Sequence, residues 1–120
     1  MITHLKFISI PTCDQARALK FWTEQIGFNV LTDQDMGAQR WIELEIRHSQ
    51  TRVVLFTPEG HEDRIGSGLN GAFACDNVEE TYRQLKERGV EFTTPPTKQP
   101  WGEYAIFRDP DGNSFVMGSK

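Results

Sequence analysis

The chain has 120 residues, 38% of them hydrophobic and 25% charged, with a formal net charge of -4. That length suits one domain with its own core. No apolar stretch nears the ~20 residues that cross a bilayer, no apolar leader follows Met1, and the interspersed charges form no basic stripe for nucleic acid. The expectation is a cytoplasmic protein with neither a membrane nor a nucleic-acid partner. Its two cysteines, Cys13 and Cys75, make no disulfide framework.

Leu5 to Ile10 reads as a strand closed by Pro11. Asp14 is a good N-cap for the helix that follows, where Ala18, Phe21, Trp22 and Ile26 recur at helical spacing and Gly27 supplies the stop. Phe28 to Thr32 is a second strand, and Gly37 marks a turn. Arg40 to Ile46 alternates, with Ile42, Leu44 and Ile46 against Trp41, Glu43 and Glu45. Arg52 to Thr57 is a continuous apolar run, as in a central strand. Residues 59–68 form a polar, glycine-rich linker.

A second pass of the same kind begins near Leu69 and Ala72 to Cys75. Asp76 and Glu79 have the spacing of a capping box. Val78, Tyr82 and Leu85 form an apolar stripe ending at Gly89, and Val90 to Thr94 is a strand halted by Pro95-Pro96. Glu103 to Arg108 and Ser114 to Met117 complete the strands, joined by the turn Asp109-Pro110-Asp111-Gly112.

The order is β-α-β-β-β, linker, β-α-β-β-β. Asp14 to Gly27 and Asp76 to Gly89 share a spacing of 13 residues. The expected fold is α+β: one domain, 1–120, of two paired modules, 1–58 and 69–120, joined by the linker 59–68. Two such sheets can curl into a cup able to hold a ligand. Alternation turns Ile8, Ile10, Ile42, Leu44, Ile46, Val54, Phe56, Phe73, Phe107 and Met117 toward the helices. It turns Phe7, Trp41, Glu43, Leu55, Asn70, Tyr104, Ile106 and Val116 into the cup.

Phe21-Trp22-x3-Ile26-Gly27-Phe28, the glycine-ended second helix, and Asp109-Pro110-Asp111-Gly112-Asn113 before a terminal apolar strand together resemble the vicinal oxygen chelate superfamily. That group includes glyoxalase I, bleomycin-resistance proteins, fosfomycin-resistance enzymes and extradiol dioxygenases, and the resemblance covers essentially the whole chain. It implies a cup-shaped mixed sheet, a small-molecule ligand and a homodimer. For the family's enzymes it also implies a divalent metal held by His, Glu or Gln from the first and last strands of each module. By distance from the helix caps and from Gly112, the four slots fall at Phe7, Leu55, Asn70 and Val116.

Three of these side chains have no lone pair to offer a metal, and an asparagine alone is a weak oxygen ligand. The expectation is therefore no metal and no other cofactor. The pocket would be dry and lined by Phe7, Trp41, Glu43, Leu55, Asn70, Trp101, Tyr104, Ile106 and Val116, and would bind a toxin or antibiotic, as bleomycin-resistance proteins do without metal. The alternative is a metal-dependent lyase, isomerase or dioxygenase of the glyoxalase I-like group, with a divalent metal on other donors. A unit that serves protein–protein contact is a third reading. Whether any reaction is catalysed stays open. Glu43 is the candidate general base if aromatic neighbours desolvate it, or a rim carboxylate paired with Arg40 or Arg52. Trp41, Trp101 and Tyr104 suit a planar or cationic ligand, with Trp101 as a possible lid in the loop Lys98 to Gly102. His4, His48 and His61 read as exposed loop residues.

Overall fold

The computed structural model describes residues 1–120, and two parallel strand pairs organise it. In the first, β1 (Phe7–Pro11) lies beside β4 (Arg52–Phe56). In the second, β5 (Leu69–Cys75) lies beside β8 (Ser114–Ser119). Each pair is extended by antiparallel strands. β3 (Arg40–Glu45) and β2 (Asn29–Asp35) give the order β1-β4-β3-β2, and β7 (Gly102–Arg108) and β6 (Glu91–Gln99) give β5-β8-β7-β6. The chain is thus an α+β protein of two four-stranded mixed sheets, each with one helix: α1 (Gln15–Lys20) or α2 (Val78–Glu87). It divides into two compact units, Met1–Ile65 and Gly66–Lys120, so the polar stretch 59–68 is shared between them. No helix is long and apolar enough to cross a membrane.

The first helix starts as its sequence predicts: Asp14 Oδ1 accepts from the Arg17 amide at 3.0 Å. Beyond Lys20 the helix widens into a π-helical turn over Phe21–Gln25, and Gly27 ends it at φ 99°, a conformation that glycine adopts without steric cost. The second helix departs from expectation by one residue. Its cap is Asn77, whose Oδ1 accepts from the Glu80 amide at 3.0 Å, and Asp76 instead pairs with Lys120 Nζ at 2.6 Å. The capping box Asp76/Glu79 is therefore not formed. Cap to stop is thirteen residues from Asp14 to Gly27 but twelve from Asn77 to Gly89, and the π-helical turn accommodates the additional residue.

Other boundaries shift for identifiable reasons. β1 begins at Phe7 and includes Pro11, which an edge strand tolerates. Pro95-Pro96 does not halt β6. Thr94 pairs with Ile106 and Thr97 with Tyr104, so the two prolines together oppose Ala105 in a bulge on an edge strand, where no ladder donor is required of them. β3 ends at Glu45, leaving Ile46 outside the strand.

In the first unit Ile10, Ile42, Leu44, Val53 and Leu55 are fully buried, together with Trp22 from the π-helical turn. In the second, Phe73, Phe107 and Phe115 meet ring to ring, with centroids 5.5–6.3 Å apart. The turn before β8 is pinned by Asp109, whose Oδ1 accepts from the Asp111 and Asn113 amides and whose Oδ2 accepts from Asn113 Nδ2. Burial pushes the Asp109 carboxyl above its usual range, against the pull of those hydrogen bonds. Because Asn77 is the working cap, Asn77→Ala should cost about 1 kcal/mol, whereas Asp76→Ala, at an exposed ion pair, should be close to neutral. Urea unfolding of the two variants distinguishes them, and the reverse ranking would return the cap to Asp76.

Candidate ligand-binding faces

Each sheet has a face packed with its helix and a second, helix-free face, and the register assigns side chains to them. In the first unit Leu55 pairs with Ile10 on one side and Ile42 on the other; Val53 pairs with Ile8 and Leu44. Paired residues share a face, so Leu55 belongs to the buried helix side. This corrects the expected split: Val54, paired with Ser9 and Glu43, takes the second face, and Phe56, paired with Pro11, goes with it. The run Arg-Val-Val-Leu-Phe carries no polar alternation to show its parity, and a one-residue slip exchanges the two faces.

The second face of the first unit then carries Phe7, Trp41, Glu43, Glu45, Arg52, Val54 and Phe56. The Phe7 and Trp41 rings meet edge to face with centroids 6.0 Å apart. Trp41 is 38% exposed, and its Nε1 donates to Glu43 Oε1 at 3.3 Å. Glu43 thus joins neither arginine considered from the sequence. Arg40 is committed to Asp33, holding that carboxyl below the usual range, and Arg52 donates to Glu45 Oε2 at 2.9 Å. The Arg64 guanidinium lies 5.3 Å from the centre of the Phe56 ring, a cation–π contact that sequence reasoning missed.

In the second unit Ile106 pairs with Val116, which pairs with Ala72, forming one apolar row on the second face; Tyr104 pairs with Gly118 on the same face. Trp101 occupies the two-residue turn between β6 and β7, since Gln99 pairs with Gly102. It is 69% exposed and stacks on Tyr104, centroids 5.7 Å apart and planes at 25°. Asn70 sits at a bulge in β5, between the pairs Leu69–Ser114 and Gly71–Phe115. Its Oδ1 is shielded from solvent and has no hydrogen-bond partner. By register the units correspond position for position: Val54 matches Val116, Glu43 matches Ile106, and Trp41 matches Tyr104. Phe7 and Asn70 each lie seven residues before their helix cap once that cap is Asn77.

With the register as found, the four slots that the resemblance implies fall at Phe7, Val54, Asn70 and Val116. Three end in carbon. The fourth offers one neutral oxygen, so this donor set does not fit a divalent cation. No three His, Cys, Asp or Glu side chains come together as a metal-binding group. His4, His48 and His61 are exposed. Cys75 is a partly buried thiol whose pKa burial raises, and Cys13 is exposed, with Arg17 Nη2 3.4 Å from its sulfur. Leu55→Ala should lose about 2–5 kcal/mol in urea unfolding, the cost of a cavity in the helix-side core. A loss below about 1 kcal/mol would return Leu55 to the second face.

A family model described as the Glyoxalase/Bleomycin resistance protein/Dioxygenase superfamily matches residues 2–117. The Bacillus subtilis protein YurT is 39% identical over 121 residues, covering 93% of this chain and 95% of its own. The crystal structure of UcmS2 superposes with a TM-score of 0.91 at 32% identity, covering all of both chains. TnmS3, an antibiotic-binding protein from Streptomyces sp. CB03234, superposes with a TM-score of 0.87 at 33% identity, over 98% of this chain and 96% of that one.

Proposed function

The chain belongs to the glyoxalase/bleomycin resistance protein/dioxygenase superfamily, and on that premise we propose that it binds a small aromatic molecule of the toxin or antibiotic kind without a metal ion. One observation carries this reading: at the positions where the family's enzymes place donors, this chain has Phe7, Val54 and Val116. Carbon at those positions cannot polarise a substrate oxygen, but it can desolvate an apolar ligand, at about 25 cal/mol for each Å² removed from water.

The aromatic side chains supply walls for such a ligand. Trp101 and Tyr104 are already stacked and partly exposed, so a planar ring can extend the stack with little loss of side-chain freedom. Trp41 and Phe7 offer an edge-to-face pair on the first unit's second face. Asn70 Oδ1, shielded and unpartnered, is an acceptor that a ligand N–H or O–H would satisfy. The antibiotic-binding neighbour TnmS3 supports the ligand class. The cytoplasmic location and the homodimer expected from the sequence belong to the same proposal. The exposed Val30 and Leu31 on edge strand β2 offer a second copy an apolar strand margin.

In chelator-treated buffer, planar aromatic compounds such as acridine should quench the tryptophan fluorescence saturably. Trp101→Ala should weaken that binding about tenfold, the loss of one stacking wall. Quenching that never saturates across a panel of such compounds, or that develops only after a divalent metal is added, would contradict the proposal.

A further inference from the structure

We propose that Glu43 is the counter-ion for a positively charged group on the ligand, a deepening that rests on the aromatic-ligand reading above. The inference comes from the charge balance of one face. Glu43 stands in the same row as Val54 and Ser9, on a face that also carries the Phe7, Trp41 and Phe56 rings, the Arg64 guanidinium over Phe56, and the Arg52–Glu45 pair. Each neighbouring arginine has another partner: Arg40 is bound to Asp33, with Nε donating to Oδ1 at 2.9 Å, and Arg52 is bound to Glu45. What reaches Glu43 is the neutral indole N–H of Trp41, at 3.3 Å.

A half-buried carboxylate without a cation, beside an aromatic face, has the composition of a site for an aromatic cation. The ring quadrupole and the carboxylate attract the same charge, and both gain from partial desolvation. The corresponding position in the second unit is Ile106, so the carboxylate is a feature of the first unit and not of the repeat. Glu45, on the same strand face, already has its arginine and serves as the internal control.

The test is a matched pair of probes: N-methylacridinium, a permanent planar cation, and acridine at pH 8, where it is neutral. Dissociation constants come from tryptophan quenching in chelator-treated, low-salt buffer. The wild-type protein should bind the cation about tenfold more tightly than acridine, the combined scale of one cation–π contact and one partly exposed ion pair. Glu43→Gln should lower that ratio about threefold, to the part that the cation–π contact supplies, and Glu45→Gln should keep it. Thermal melts of the variants show that each is folded. A wild-type ratio near one, or a ratio that Glu43→Gln leaves unchanged, overturns the counter-ion assignment while leaving aromatic binding in place. Failure of both probes to bind the wild-type protein overturns the aromatic-ligand reading and the counter-ion with it.

Discussion

The parallel pairing of β1 with β4 governs the first unit. It sets Ile8 against Val53 and Ile10 against Leu55, and the antiparallel β3 continues those rows with Leu44 and Ile42. Ile10, Ile42, Leu44, Val53 and Leu55 all reach full burial on the helix side. A slip of one residue in β4 would turn Arg52 into that core and bring Val53 and Leu55 out of it. Burying an unpaired charge costs far more than the exchange of one apolar side chain for another. The same register holds Arg52 beside Glu45 and Val54 beside Glu43, so the core and the chemistry of the second face are settled by a single geometric choice.

Much of this was legible from residue order. The repeated β-α-β-β-β pattern, the Asp14 cap, the glycine stops and the Asp109 to Gly112 turn depend on local chemistry, and local chemistry is written in neighbouring residues. Where two adjacent residues compete for one role, the sequence is silent: Asp76 and Asn77 can both cap a helix, and in the folded chain Asn77 takes the cap while Asp76 pairs with Lys120. The parity of β4 was unreadable because its Val-Val-Leu-Phe run is apolar on both sides. Pro95-Pro96 read as a stop because a bulge on an edge strand depends on the partner strand and not on the segment itself. The commitments of Arg40 and Arg52, which leave Glu43 with the Trp41 indole alone, belong to cross-strand geometry that no spacing rule supplies.

Val54 in place of Leu55 on the second face exchanges one carbon side chain for another. At the positions that the resemblance matches to metal donors, this chain carries other chemistry. Lone pairs give way to rings and branched aliphatics, and the one remaining oxygen, on Asn70, stands at a bulge without a partner. The two units also differ at a matched position: Glu43 stands in the middle row of the first unit's second face, whereas Ile106 makes that row apolar in the second, with Val116 and Ala72.

The central claim is that these positions bind carbon surfaces and not ions. Its most direct test is calorimetric titration of the chelator-stripped protein with Zn²⁺, Ni²⁺ and Mn²⁺. The account predicts no stoichiometric heat from any of the three; one equivalent of tightly bound metal, reversible by chelator, would contradict it.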